Sequence, residues 1–126
     1  MAYVDGFVLA VPKDRLEAYK DMARLGAEVW LDHGALTYVE CLAEDVPYGE
    51  LTSFPRAVQA TDDEVVVFSW ITYENRAHRD AVMARVMADA RMNWDKASVP
   101  FDGKRMIFGG FESFVDVSRD PGAAAA

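Results

Sequence analysis

Residues 64–72, EVVVFSWIT, and residues 3–11, YVDGFVLAV, carry the pattern that decides the fold. In the first, Val66, Phe68 and Trp70 alternate with Val65, Val67 and Ile71. In the second, Tyr3, Phe7 and Leu9 alternate with Val4, Val8 and Ala10. Successive strand residues point to opposite faces, so both faces of both segments are apolar. An antiparallel sheet with one solvated face alternates apolar with polar, and these segments do not. Helices packed on one side leave the other to be covered, and a second copy of the same sheet is the simplest cover, so a homodimer is expected.

Outward from these strands the period changes. After Pro12, residues Leu16, Tyr19, Met22, Ala23, Gly26, Val29 and Trp30 recur at three- and four-residue steps and predict a helix that stops at Gly34. Residues 36–43 read as a strand, with Tyr38, Glu40 and Leu42 on one face and Thr37, Val39 and Cys41 on the other. Asn75 is placed to cap a second helix whose inner stripe is Val82, Met83, Val86, Met87 and Ala90. Residues 106–115 supply a last strand, in which Gly109 and Gly110 suggest a bulge or a close backbone approach. The predicted order is βαββαβ, a ferredoxin-like α+β fold with both helices on one face of an antiparallel sheet. It fills one domain over residues 1–117 and leaves 118–126 as a tail. Residues 45–63 are long for a connection between two strands and are expected to hold either a lid or a short element that embraces a partner subunit.

The 126 residues include 13 Lys plus Arg against 21 Asp plus Glu, a formal charge of −8, with 52% hydrophobic residues. This is a soluble globular composition. Phosphates are repelled on average and no basic stripe interrupts the balance, so nucleic acid is not an expected partner. The apolar run at residues 7–11 is too short for a membrane span and lacks a basic start, so a cytoplasmic protein without membrane association is expected. The single cysteine, Cys41, has no internal disulfide partner and reads as a small buried hydrophobe. The two histidines, His33 and His78, have no Cys/His cluster around them, and no glycine-rich phosphate loop is present; neither a metal nor another cofactor is expected.

Five segments, MAYVDGFVLAVPK, YVECLAEDVP, TSFPRAV, FSWITYENRAHRDAV and FDGKRMIFGGF, resemble in order the motifs of the YbaA-like family of uncharacterised bacterial proteins. The resemblance covers residues 1–117. It implies the dimeric α+β barrel fold, which cofactor-independent monooxygenases and other small-molecule-modifying enzymes share. It implies no particular reaction, since one fold hosts many chemistries.

The candidate chemistry lies where charge breaks the pattern. Glu40 interrupts an apolar strand face between Tyr38 and Leu42, and Asp5 does so beside Tyr3 and Phe7. A carboxylate among aromatics suits proton transfer near neutral pH, although an edge position or an ion pair explains it as well. Arg79 occupies a hydrophobe's position near the start of the second helix, where it can bind an anionic substrate or pair with a carboxylate. His78 is a neighbouring acid/base candidate or a capping residue, and His33 a helix-end residue. Tyr38 and Trp70 are expected to share a sheet face and wall an apolar pocket, unless they are core or interface aromatics. The expected site thus has Glu40 and Arg79 as catalytic groups, with Tyr38, Trp70, His78 and Asp5 around the substrate near the start of the second helix. The competing expectation is a non-catalytic dimer that binds a metabolite or a protein.

Overall fold

The computed structural model describes residues 2–95 and 98–119. Strand β1 (Tyr3–Pro12) pairs antiparallel along its whole length with β3 (Glu64–Tyr73), Tyr3 opposite Tyr73 and Pro12 opposite Glu64. Strand β2 (Thr37–Leu42) flanks β3, and β4 (Ile107–Glu112) flanks β1. The four-stranded sheet therefore runs β2-β3-β1-β4, with every neighbouring pair antiparallel. Its two long central strands are the two segments whose faces are both apolar. From residue 120 onward the expected tail lies outside the described residues.

Helix α1 (Leu16–Asp32) follows a 3₁₀ turn at Lys13–Arg15, and α3 (Arg76–Met87) starts from Asn75, whose side chain accepts the His78 backbone N–H at 2.8 Å. That bond satisfies one of the donors a helix start leaves open. Val29 of α1 and Val82 and Val86 of α3 pack with Tyr3, Ile71 and Tyr73, which places both long helices on one face of the sheet. A second cluster joins Leu9, Val11 and Val67 to Tyr19 on the same side. Complete burial of a valine contributes about 1.5–3 kcal/mol, and Val11, Val29, Val67, Val82 and Val86 are all buried this way.

One element departs from the expected βαββαβ order. A one-turn helix, α2 (Phe54–Ala57), lies between β2 and β3, so the chain reads βαβαβαβ. Ser53 Oγ accepts the Arg56 backbone N–H at 3.1 Å, and Pro55 occupies the first turn where its missing N–H costs nothing. Arg56 then donates to the carbonyls of Tyr48 and Gly49 and lies over the Tyr48 ring, which folds the long connection back on itself. Val58, just beyond α2, packs on Val8, Ala10 and Val66, covering one end of the face opposite the long helices. The end of the connection thus packs on the sheet of its own chain.

The rest of that face is open. Phe68, Ile107 and Phe111 are 41%, 46% and 65% exposed, and Cys41, expected to be buried, stands opposite Phe68 in the sheet and is exposed on the same face. The glycine pair in β4 makes a close approach and no bulge. Asp5 stands opposite Gly110 and Gly6 opposite Gly109 in unbroken register, and the Tyr3 ring lies against Gly110, where any Cβ would collide with it. No helix among the described residues is long and apolar enough to cross a membrane.

Candidate functional site

The six charged and aromatic residues singled out by pattern separate into three places. Register decides the first separation: Tyr38 stands opposite Ile71 and Val39 opposite Trp70, so Tyr38 and Glu40 face the helices while Trp70 faces the open side. Tyr38 and Trp70 do not share a wall. The sequence shows that each belongs to an alternating strand, but the offset between two strands is set by their pairing, and one residue of offset exchanges the faces. Trp70 packs edge-on against Phe68, with ring centroids 5.5 Å apart, and lines a hollow of about 960 Å³ on the open face with Val4, Val8, Ile107 and Phe111.

The second place is the start of α3. Arg79 Nη1 donates to Asp5 Oδ1 at 2.6 Å, its guanidinium lies 4.9 Å from the centre of the Tyr3 ring, and its Nε reaches Asp80 at 2.8 Å. Tyr73, close to the same carboxyl, accepts the Trp30 indole N–H at 3.2 Å. Burial pushes the Asp5 carboxyl above its ordinary value, against the pull of Arg79 and Tyr73. Arg79 is therefore an internal ion-pair partner that lays its stem on the core. His78 sits nearby as a local brace: its Nδ1 accepts the Glu74 backbone N–H at 3.0 Å, and its ring meets Tyr73 edge-on. His33 ends α1 as expected, with Nε2 2.8 Å from Asp89 Oδ2.

The third place holds Glu40. From β2 it projects under α1, where Tyr19 donates a short hydrogen bond to Oε1 and Tyr38 donates to Oε2 at 2.7 Å. Burial raises both phenols far above the ordinary tyrosine value, and the bonds to Glu40 and its charge raise them further, so both keep their protons. Gly26 makes the arrangement possible: a Cβ there would stand 2.8 Å from the Tyr38 hydroxyl. Each carboxylate oxygen offers two lone pairs, so one tyrosine on each leaves acceptor capacity unused.

Glu40 and the two tyrosines border a pocket of about 240 Å³ between the sheet and the long helices. Trp30, Trp94, Phe7 and Phe101 form much of the wall. Met22, Met83, Met87, Met92 and Met106, every methionine of the chain except Met1, also line it, together with smaller residues that include Leu9, Ile71 and Ser69. Thioether side chains are flexible and polarisable and adapt to irregular shapes. Glu40 is the one charged residue among the described residues lining this pocket. This pocket runs along the middle of α1 and the second half of α3 rather than at the start of the second helix, and Arg79 is not among its described lining residues.

Sequence pattern alone does not single out Tyr19, Trp30, Trp94 or the methionines as site residues. Tyr19, Trp30, Met22, Met83 and Met87 belong to the apolar stripes of their helices, and stripe residues that line a pocket have the same spacing as those that fill a core. The available signal was the concentration of methionine on the inner sides of α1, α3 and the segments that follow. Among the described residues, no cluster of His, Cys, Asp and Glu could hold a metal ion.

Fold and site together define a small α+β protein with a helix-covered antiparallel sheet and a methionine-rich pocket bordered by the Glu40 carboxyl. Residues 2–103 match the family described as "Protein of unknown function (DUF1428)", and the chain belongs to that family. It is 53% identical over 116 residues to "Uncharacterized protein YbaA" of Escherichia coli (strain K12), covering 92% of this chain and 99% of the relative, and equally similar to the protein of that name in Shigella flexneri.

Proposed function

We propose that this chain is one subunit of a cytoplasmic homodimer that binds a small organic molecule in the pocket beside Glu40. The observation that carries the binding reading is a carboxylate held by two tyrosine hydroxyls at the wall of a preformed, mostly apolar cavity rich in aromatic and methionine side chains. Binding sites are typically of this kind, apolar with a few convergent polar groups. The dispersal of the expected catalytic set favours binding over catalysis, because Arg79 is spent on Asp5 and Trp70 lies on the other face. Met87 is 61% exposed and stands at the pocket, so Met87→Trp fills it from outside the core. Ligands found in a metabolite screen by thermal shift are expected to stabilise the wild type and not this variant. Hits that stabilise both equally would place binding elsewhere.

Dimerisation through the open sheet face is supported by the exposed Phe68, Ile107 and Phe111 and by the apolar hollow they border. Soluble monomers rarely leave such a patch uncovered. In this reading α2 is a decoration on a ferredoxin-like βαββαβ domain spanning residues 1–117, and two sheets packed face to face make the dimeric α+β barrel.

Catalysis is a second reading, favoured by the lone pairs that remain on Glu40. A substrate proton can pass to a carboxylate oxygen and return to a different atom of the same substrate, an isomerisation that consumes no co-reactant. Deuterium uptake from solvent into a bound ligand, lost in Glu40→Gln, would support this chemistry; its absence with a tight ligand would leave binding alone.

A further inference from the structure

The Glu40 pocket is electrically one-sided. Its described lining holds one carboxylate and no cation, and Glu40 takes part in no ion pair among the described residues. Lys20 and Arg24 border the shallow groove on the outer side of Glu40, but Lys20 pairs with Glu17 at 3.5 Å and Arg24 with Asp21 at 3.0 Å. The tyrosine hydroxyls both donate to Glu40, which orients the carboxylate without neutralising it. A carboxylate taken out of water is costly unless it is paired. A ligand that closes this pocket either brings a positive charge or leaves that cost unmet.

The walls favour the same charge. Trp30 and Tyr38 lie with ring centroids 5.9 Å apart, Tyr19 meets Phe101 edge-on at 5.7 Å, and Trp94 borders the same space. Aromatic faces carry negative potential and attract organic cations. An anionic ligand would meet the carboxylate, the ring faces and a chain of net charge −8, with no cationic side chain among the described lining residues to offset them. The volume of about 240 Å³ lies below the ~300–1,000 Å³ typical of sites for larger ligands.

We infer that the pocket takes a small organic ammonium with a hydrophobic body, its nitrogen at the free lone pairs of Glu40 and its body among Trp30, Tyr38 and the methionines. This inference rests on the binding reading above and adds the chemical class of the ligand. The nitrogen completes the carboxylate's hydrogen bonding, and the methionines adapt to the body.

The test uses three probes of similar shape at pH 7: 2-phenylethylammonium, 2-phenylethanol and 3-phenylpropanoate, titrated into the intact protein and followed by tryptophan fluorescence and calorimetry. The ammonium is expected to bind at least ~10-fold more tightly than the alcohol, with the carboxylate weakest, and Glu40→Gln is expected to erase the preference. The comparison among probes on the wild type needs no variant to fold. Alcohol or carboxylate binding as tight as the ammonium would overturn the charge assignment and leave the pocket standing. An ammonium preference that survives in Glu40→Gln would overturn it too. Failure of all three to bind at millimolar concentration would overturn the ammonium assignment, whereas the binding reading beneath it falls only if the metabolite screen finds no ligand that Met87→Trp excludes.

Discussion

A Cβ on Gly26 would lie 2.8 Å from the Tyr38 hydroxyl, so α1 and β2 are fitted to each other at the point where Glu40 is held. Gly26→Ala gains about 1 kcal/mol of helix propensity but meets an overpacking cost of roughly 1–3 kcal/mol, because Tyr38 has to leave its bond to Glu40. A net loss of stability with weaker ligand binding is expected. A variant that melts higher than the wild type with binding intact would show that Tyr38 is free to move.

Arg79 and Asp5 form a largely buried pair, with side chains 19% and 10% exposed. Arg79→Met leaves the Asp5 carboxyl among apolar groups and is expected to cost roughly 3 kcal/mol, whereas Asp5→Asn with Arg79→Met recovers much of that loss. Urea denaturation of the single and double variants measures the difference. Additive losses would contradict the pairing.

Glu64 accepts two bonds from Arg105, at 2.8 and 2.6 Å, and its side chain is 6% exposed. The Arg105 bonds lower its pKa from 4.5 to about 2 in spite of partial burial, with help from the Thr61 backbone N–H. A carboxyl whose folded pKa is depressed binds fewer protons folded than unfolded, so its stabilisation is complete above the unfolded value of 4.5 and lost as the pH falls through about 2. Glu64→Gln is expected to cost about 1–3 kcal/mol at pH 7 and progressively less below pH 4.5. A gap between wild type and variant that stays constant down to pH 2 would refute this.

Phe68 and Trp70 lie at the centre of the open face. Light scattering of the wild type at micromolar concentration is expected to give twice the chain mass of 14.0 kDa, and Phe68→Asp to give a single chain. Because Phe68 is 41% exposed in the single chain, the substitution is expected to leave the internal core intact. A wild type near 14.0 kDa would remove the sheet-to-sheet dimer.

Much of the secondary structure is local physics and was legible without coordinates. Asn75 announces the start of α3 because its side chain can reach a donor three residues on, and Pro12 closes β1 by its own geometry. The period of Tyr19, Gly26 and Val29 marks the buried stripe of α1, since 3.6 residues per turn leave no other face for them. Helix α2 was not legible in the same way. Its single turn is too short to show a period, and it depends on the Ser53 cap and on Arg56 reaching back to Tyr48 and Gly49.

The chain by itself determined that two central strands are apolar on both faces and that Asp5, Glu40 and Arg79 stand where hydrophobes were due. What those charges meet was decided by the tertiary structure. Strand offset sent Trp70 to the open side and Glu40 beneath α1, and the packing of α3 on the sheet brought Arg79 to Asp5, 74 residues away in the chain. Such contacts depend on register and on the docking of helices, which arise from the whole set of packed side chains. A pattern along one strand or helix carries the direction of each side chain but not the identity of the group it will face.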